Sequence, residues 1–366
     1  MKHIMVVLGT RPEAIKLCPL ILELKKRPSL RVTVCSTLQH GALLEDALDA
    51  FSVRPERCFP VLPEHRSCTE LCAHVQAQTE KALLELHPDL LLVQGDTASA
   101  FGAALAAFHL HVPIGHVEAG LRTYRIEAPF PEEFYRQSIS LMAKYHFAPT
   151  PRAKRNLLRE GKAEASIYLT GNTVVDALHR SLALGRSATA WRAPTGMRTV
   201  LFTAHRREHL GEPMRGMFRA LRRLTETYED LYAICPLHPN PQVRAMAEEE
   251  WRGAERIHVI DPPGVIMFHQ MLSQCALVLT DSGGIQEETV SLGIPTLVMR
   301  YSSERTEGLQ AGVLRLAGSG EEGIYELASR LLSPENEEYA AMKKPSRAFG
   351  DGMASRRIAD ILEQVS

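Results

Sequence analysis

The chain has 366 residues, 45% of them hydrophobic and 23% charged, with a formal net charge of -1 at pH 7. That length exceeds one ordinary core and predicts two domains of similar size. The balanced charge excludes recognition of nucleic acid or an anionic membrane by bulk electrostatics, and no apolar run approaches the roughly 20 residues of a membrane span.

The start, Met1-Lys2-His3-Ile4, runs straight into a strand without a leader pattern. Short β-rich runs then alternate with amphipathic helical patterns. The candidate strands of the first half are residues 4–8, 32–37, 90–94, 113–118, 145–148 and 167–170. Between the first two, Leu17, Ile21 and Leu24 recur at helical spacing, and Pro12 suits a first helical turn. Residues 181–198, with Gly185, Pro194 and Gly196, predict a linker. The alternation restarts with candidate strands 200–203, 232–236, 257–260, 276–280 and 296–299. Near-continuous apolar strands separated by helices predict parallel sheets covered on both faces, and so an α/β protein of two doubly wound domains facing a cleft. In such sheets ligands sit at the carboxyl ends of the strands, where the strand order reverses.

Those strand ends hold most of the chemically capable residues. Gly9-Thr10-Arg11-Pro12-Glu13-Ala14-Ile15-Lys16 puts two cations at the first strand-to-helix turn, where Arg11 and Lys16 either hold a phosphate or are solvated charges. No Gly-x-Gly-x-x-Gly or Walker-type run occurs, which argues against a dinucleotide or NTP site. Asp96 and Glu118 end two consecutive strands, and Glu132 and Glu133 follow on a Pro-rich loop. Carboxylates gathered in a partly dry cleft suit acid–base chemistry at neutral pH. Asp96 alternatively caps the helix starting near Ser99, and of the two glutamates Glu133 is expected to be the exposed first-turn residue.

Ala204-His205-Arg206-Arg207-Glu208 is dense in charge after a buried strand, with His205 placed to donate to a phosphate oxygen or to shuttle a proton. His238-Pro239-Asn240-Pro241 reads as a rigid loop. Thr280-Asp281-Ser282-Gly283-Gly284 is a strand–Ser-Gly-Gly–helix junction, either a plain turn capped by Ser282 or a phosphate site built from helix N–H groups. Arg305 follows the next strand and either faces the same cleft or lies in a solvated loop. The seven cysteines are scattered, as thiols of a cytoplasmic protein are, and Cys68, Cys72 and His74 lack a second ligand pair, so no metal is expected.

Together these runs, with Gly115 to Thr123, Thr170-Gly171-Asn172-Thr173-Val174-Val175-Asp176-Ala177-Leu178, Ser303-Glu304-Arg305 and Phe349-Gly350-Asp351-Gly352, resemble the bacterial non-hydrolysing UDP-N-acetylglucosamine 2-epimerases over essentially the whole chain. The resemblance implies two Rossmann-like domains of the GT-B type, residues 1–180 carrying the catalytic carboxylates and 181–366 binding UDP, with the last helix packing back on the first domain. It implies a cytoplasmic homodimer that interconverts UDP-GlcNAc and UDP-ManNAc without NAD or metal, by eliminating UDP to 2-acetamidoglucal and adding it back. It assigns Asp96, Glu118, Glu132 and His205 to catalysis. Nucleotide contacts carry over to Arg11, Lys16, Phe268, Ser282, Gly283, Gly284, Glu288 and Arg305. The chain departs from the family's common runs at Gln39-His40-Gly41, His65-Arg66-Ser67-Cys68, Tyr135-Arg136 and Pro263. A hydrolysing relative that releases ManNAc and UDP, and a GT-B glycosyltransferase, are the alternatives.

Overall fold

A computed structural model describes residues 1–39, 41–60, 67–185, 191–206, 209–237, 240–333 and 336–365. The chain divides into two compact units, Met1–Arg180 with Gly350–Ser366, and Ser181–Phe349.

Among the described residues of the first unit, seven strands form one parallel sheet. They are β1 (Lys2–Leu8), β2 (Leu30–Ser36), β3 (Arg57–Cys58), β4 (Leu90–Gln94), β5 (Ile114–Val117), β6 (Tyr145–Ala148) and β7 (Ile167–Leu169), in the order β3-β2-β1-β4-β5-β6-β7. In the second unit β8 (Arg198–Thr203), β9 (Leu231–Pro236), β10 (Ile257–Ile260), β11 (Leu277–Thr280), β12 (Thr296–Val298) and β13 (Leu314–Leu316) run in the order β10-β9-β8-β11-β12-β13. Both orders are those of a Rossmann-like doubly wound sheet, with a reversal between β1 and β4 and between β8 and β11. The edge strands β3 and β13 escape sequence reading because two or three residues carry no periodicity.

Central strands such as β4 are buried along their whole length, which is why they read as unbroken apolar runs rather than alternating ones. In the second unit Phe202, Phe218 and Trp251 pack ring against ring, and the Trp251 indole N–H donates to the Phe218 carbonyl at 2.9 Å. Each such side chain stabilises the core by roughly 2–3 kcal/mol of apolar burial.

The helix Thr173–Leu184 runs through residues 181–184, so the expected linker begins later than its composition implies. The helix Ala354–Gln364 belongs to the first unit. The Asp176 carboxylate accepts from the amides of Ala354 (3.2 Å) and Ser355 (2.8 Å), and Arg27 pairs with Asp360 at 2.7 Å. This is a side-chain cap supplied from 178 residues away.

Candidate functional site

In the first unit the turn after β1 is built on Glu13. Its carboxylate accepts from the amides of Gly9 (3.0 Å) and Thr10 (2.7 Å) and from the hydroxyls of Thr10 (2.8 Å) and Thr97 (2.7 Å). Burial pushes the Glu13 carboxyl above its ordinary range, against the bonds from Thr97, Thr10 and Gly9 that favour the ion. This residue clasps the turn after β1 to the turn after β4, the two strands at the reversal. Gly9 lets the strands close at that clasp, since a Cβ there would lie 1.9 Å from Thr37 Oγ1 and 2.2 Å from Ser99 Oγ and force both to shift.

Thr97, not Asp96, is the N-cap of the helix Ala98–His109, its hydroxyl accepting from the Ala100 amide. Asp96 is thereby left to Arg136, whose Nη2 lies 2.5 Å from Asp96 Oδ2. Glu118 follows β5 with φ 65, a left-handed conformation that costs a non-glycine residue roughly 1–3 kcal/mol. One of its oxygens, Oε2, receives Lys16 Nζ at 2.5 Å, Gln94 Nε2 at 3.1 Å and Asn172 Nδ2 at 3.2 Å. Lys16, expected on the nucleotide, is therefore bonded to a carboxylate here, and Arg11 stands half-buried at the start of the same helix.

The expectation for the glutamate pair is reversed. Glu133 is completely buried, accepting from the amides of Thr123 and Tyr124 (3.0 Å each) and from Gln137 Nε2 (2.8 Å), so it ties down the loop before its own helix. Glu132 is the half-buried neighbour. The pattern Pro-Glu-Glu has no feature that reveals which glutamate meets those two amides. Cys72 contacts the Tyr135 hydroxyl and His74 the Pro60 carbonyl, and Cys68 is an exposed free thiol. Among the described residues no group of three His, Cys, Asp or Glu side chains could hold a metal ion.

In the second unit Ser282 occupies the N-cap of the helix Gly283–Leu292, but its hydroxyl makes no capping bond. A helix N-terminus with no side-chain cap suits an anion. The Arg305 guanidinium lies against Gly283, where a Cβ would come within 3.1 Å of its carbon. Arg305 Nε donates to the buried Glu287 at 3.0 Å and Nη1 to Glu304 at 2.6 Å. Burial alone would raise the Glu304 carboxyl, but Arg305, Arg300 and Arg206 around it hold it well below the carboxylate range.

After β8, His205 and Arg206 turn onto Asp281, the residue after β11. Asp281 is completely buried and accepts from the amides of His205 (3.1 Å) and Arg206 (3.0 Å), from His205 Nδ1 (2.9 Å) and from His209 Nδ1 (3.1 Å). Burial acts to raise its carboxyl, yet the bonds from His205, His209 and Arg206 outweigh it and leave it far below its ordinary range. The helix Val265–Ser273 carries Phe268, half-buried, and His269, completely buried. His269 contacts the Ser181 hydroxyl through Nδ1 and Glu288 Oε1 through Nε2 at 3.2 Å. The other Glu288 oxygen, Oε2, is buried and has no hydrogen-bond partner among the described residues. Such an oxygen accepts readily from a ligand hydroxyl.

His40, His65, Arg66, Arg207, Glu208, His238 and Pro239 lie outside the described residues. Sequence reading does not pick out Gln94, Asp281 or His209 as site residues. The signal available for the first two is position alone, at the carboxyl ends of β4 and β11.

A family model of UDP-N-acetylglucosamine 2-epimerase matches residues 22–363. The UDP-N-acetylglucosamine 2-epimerase of Bacillus subtilis (strain 168) is 45% identical over 359 residues, covering 98% of this chain and 94% of that protein. The chain belongs to the UDP-N-acetylglucosamine 2-epimerase family.

Solved structures of the epimerase family superpose along its length. The UDP-GlcNAc 2-epimerase from Neisseria meningitidis, bound to UDP-GlcNAc, matches with a TM-score of 0.94 at 37% identity, covering 100% of both chains. The S. aureus MnaA-UDP structure matches with a TM-score of 0.92 at 39% identity, covering 99% of this chain and 96% of that one. Among the described residues no helix of this epimerase-family chain is long and apolar enough to cross a membrane.

Proposed function

We propose that this protein interconverts UDP-GlcNAc and UDP-ManNAc at C2 without net hydrolysis. UDP leaves to give 2-acetamidoglucal, and UDP then adds back with the C2 proton delivered to the opposite face. The observation that carries the reading is the held carboxylate after β5. Glu118 keeps a left-handed backbone while three nitrogen donors converge on one of its oxygens, which supports a carboxylate held in place for chemistry. Inverting C2 needs groups that remove a proton from one face and return it to the other, and Asp96, Glu118 and Glu132 are the candidates.

In the second unit the uncapped N-terminus at Ser282-Gly283-Gly284, with Arg305 against it, suits a diphosphate whose charge grows as the bond to C1 breaks. Arg11, Lys16 and His205 complete the expected diphosphate contacts. Phe268 offers a face for the base, and Glu288 Oε2 an acceptor for the ribose hydroxyls. Further expectations are that the protein works in the cytoplasm, consistent with its free cysteines, and that it is a homodimer, which light scattering on the purified protein tests.

Product analysis of the purified protein with UDP-GlcNAc tests the reaction. UDP-ManNAc is the expected product. Free ManNAc with stoichiometric UDP would replace this reading by a hydrolysing one, and turnover that requires an acceptor sugar would replace it by glycosyl transfer.

A further inference from the structure

Asp281 stands outside the groups assigned above, yet among the described residues it is the most heavily bonded carboxylate of the second unit's strand ends. It is completely buried, and its two oxygens share two imidazoles and two backbone amides. Arg206 Nε also donates to its carbonyl at 2.9 Å. An ionised carboxylate only accepts hydrogen bonds, so the ring nitrogens that meet it, His205 Nδ1 and His209 Nδ1, carry protons. A free neutral histidine prefers its proton on Nε2. The carboxylate therefore imposes the less common tautomer on His205 and leaves Nε2 on the ring edge away from Asp281, on a side chain that is 46% exposed.

We propose that Asp281 is a positioning residue of the nucleotide site. It anchors His205 through Nδ1 so that Nε2 alone meets the diphosphate of the nucleotide sugar. His209, buried and held by the other carboxylate oxygen, is the counterpart that keeps Asp281 from swinging with the ring. A phosphate oxygen accepts and does not donate, so the ring that meets it carries protons on both nitrogens. The hydrogen bond from Nε2 then strengthens as the bond between C1 and the diphosphate oxygen breaks, and the proton stays on the ring. Asp281 touches no substrate in this scheme. It acts by fixing which nitrogen faces outward, the part an aspartate plays in a catalytic triad.

The inference rests on the reading of His205 given above, and the test separates the two. Nitrogen-15 NMR of histidine-labelled, full-length protein without ligand reads the ring directly. The expected spectrum has His205 protonated at Nδ1 at neutral pH, and a spectrum with Nδ1 bare and the proton on Nε2 overturns the proposal whatever the kinetics. In parallel, kcat is measured for Asp281→Asn, His205→Gln and the double variant. Each single change should lower kcat by about 100-fold or more, and the double variant should be no worse than His205→Gln, because Asp281 works only through that ring. Losses that multiply in the double variant would assign Asp281 a separate role and overturn the proposal. Full activity in His205→Gln would instead overturn the reading of His205, leaving the NMR result to judge the anchoring. Should Asp281→Asn fail to fold, the spectrum of the unaltered protein carries the test alone.

Discussion

Two histidines inside the first unit's sheet predict a specific loss of stability in acid. His116 on β5 and His146 on β6 are register partners, both buried, and each has an Nδ1 with no hydrogen-bond partner among the described residues. Burial lowers the His116 ring from 6.5 to about 4, against the Gly95 carbonyl bond that favours its proton, and lowers His146 to about 3. Between those values and 6.5 the unfolded chain binds protons that the folded chain refuses, so stability rises with pH through this window and is lost as pH falls.

For His116 alone, a folded pKa of about 4 makes the drop from pH 7 to pH 5 cost about 2 kcal/mol, approaching ~3 kcal/mol near pH 4. Replacing His116 by Gln keeps a donor for the Gly95 carbonyl, now 2.7 Å from Nε2, and removes the titration. Urea unfolding of both proteins at pH 7, 6 and 5 reads the difference, to which His146 adds in the same direction because His116 also helps to lower its ring. The variant should lose about 2 kcal/mol less than the unaltered protein over that range, even if it starts less stable. Parallel pH slopes would refute the argument, because they would mean that the buried ring takes its proton as easily as an unfolded one.

Other substitutions test the site. Glu118→Gln should lower kcat by roughly 10²–10⁴-fold in the UDP-ManNAc assay while leaving the affinity for UDP, read by calorimetry, within a few-fold. Gln94→Leu removes one of the three donors on the Glu118 carboxylate and should cost about tenfold in kcat with the fold intact by circular dichroism. Arg305→Lys keeps the charge but not the fork that spans Glu287 and Glu304, and should weaken UDP binding about tenfold. Gly9→Ala forces a methyl into the Thr37–Ser99 contact and should lower stability by about 1–3 kcal/mol or more, read from the urea midpoint.

The long central strands were legible because they are buried on both faces and so read as continuous apolar runs. The candidate-site strand ends were legible because ligands of parallel α/β sheets bind at the carboxyl ends of the strands, and Asp96, Glu118 and His205 fall just past them. What the sequence hides is who meets whom. Lys16 and Glu118 are 102 residues apart, and nothing local reveals that this lysine meets that carboxylate. Glu132 and Glu133 differ only in which way the first helical turn points them, and Thr123 and Tyr124, whose amides decide the matter, lie ten and nine residues upstream of Glu133 on a loop. Asp281 reads as one more turn residue until β8 and β11 are laid side by side, which brings His205 and His209 onto it.

The central claim is that a carboxylate strips the sugar's C2 proton and that solvent-exchanged acid returns it. Incubation of the protein with UDP-GlcNAc in deuterium oxide, followed by proton NMR of both sugars, tests it most directly. Deuterium should appear at C2 of UDP-ManNAc and, as equilibrium is approached, of the recovered UDP-GlcNAc. Epimerised product that keeps its original C2 hydrogen would contradict the account.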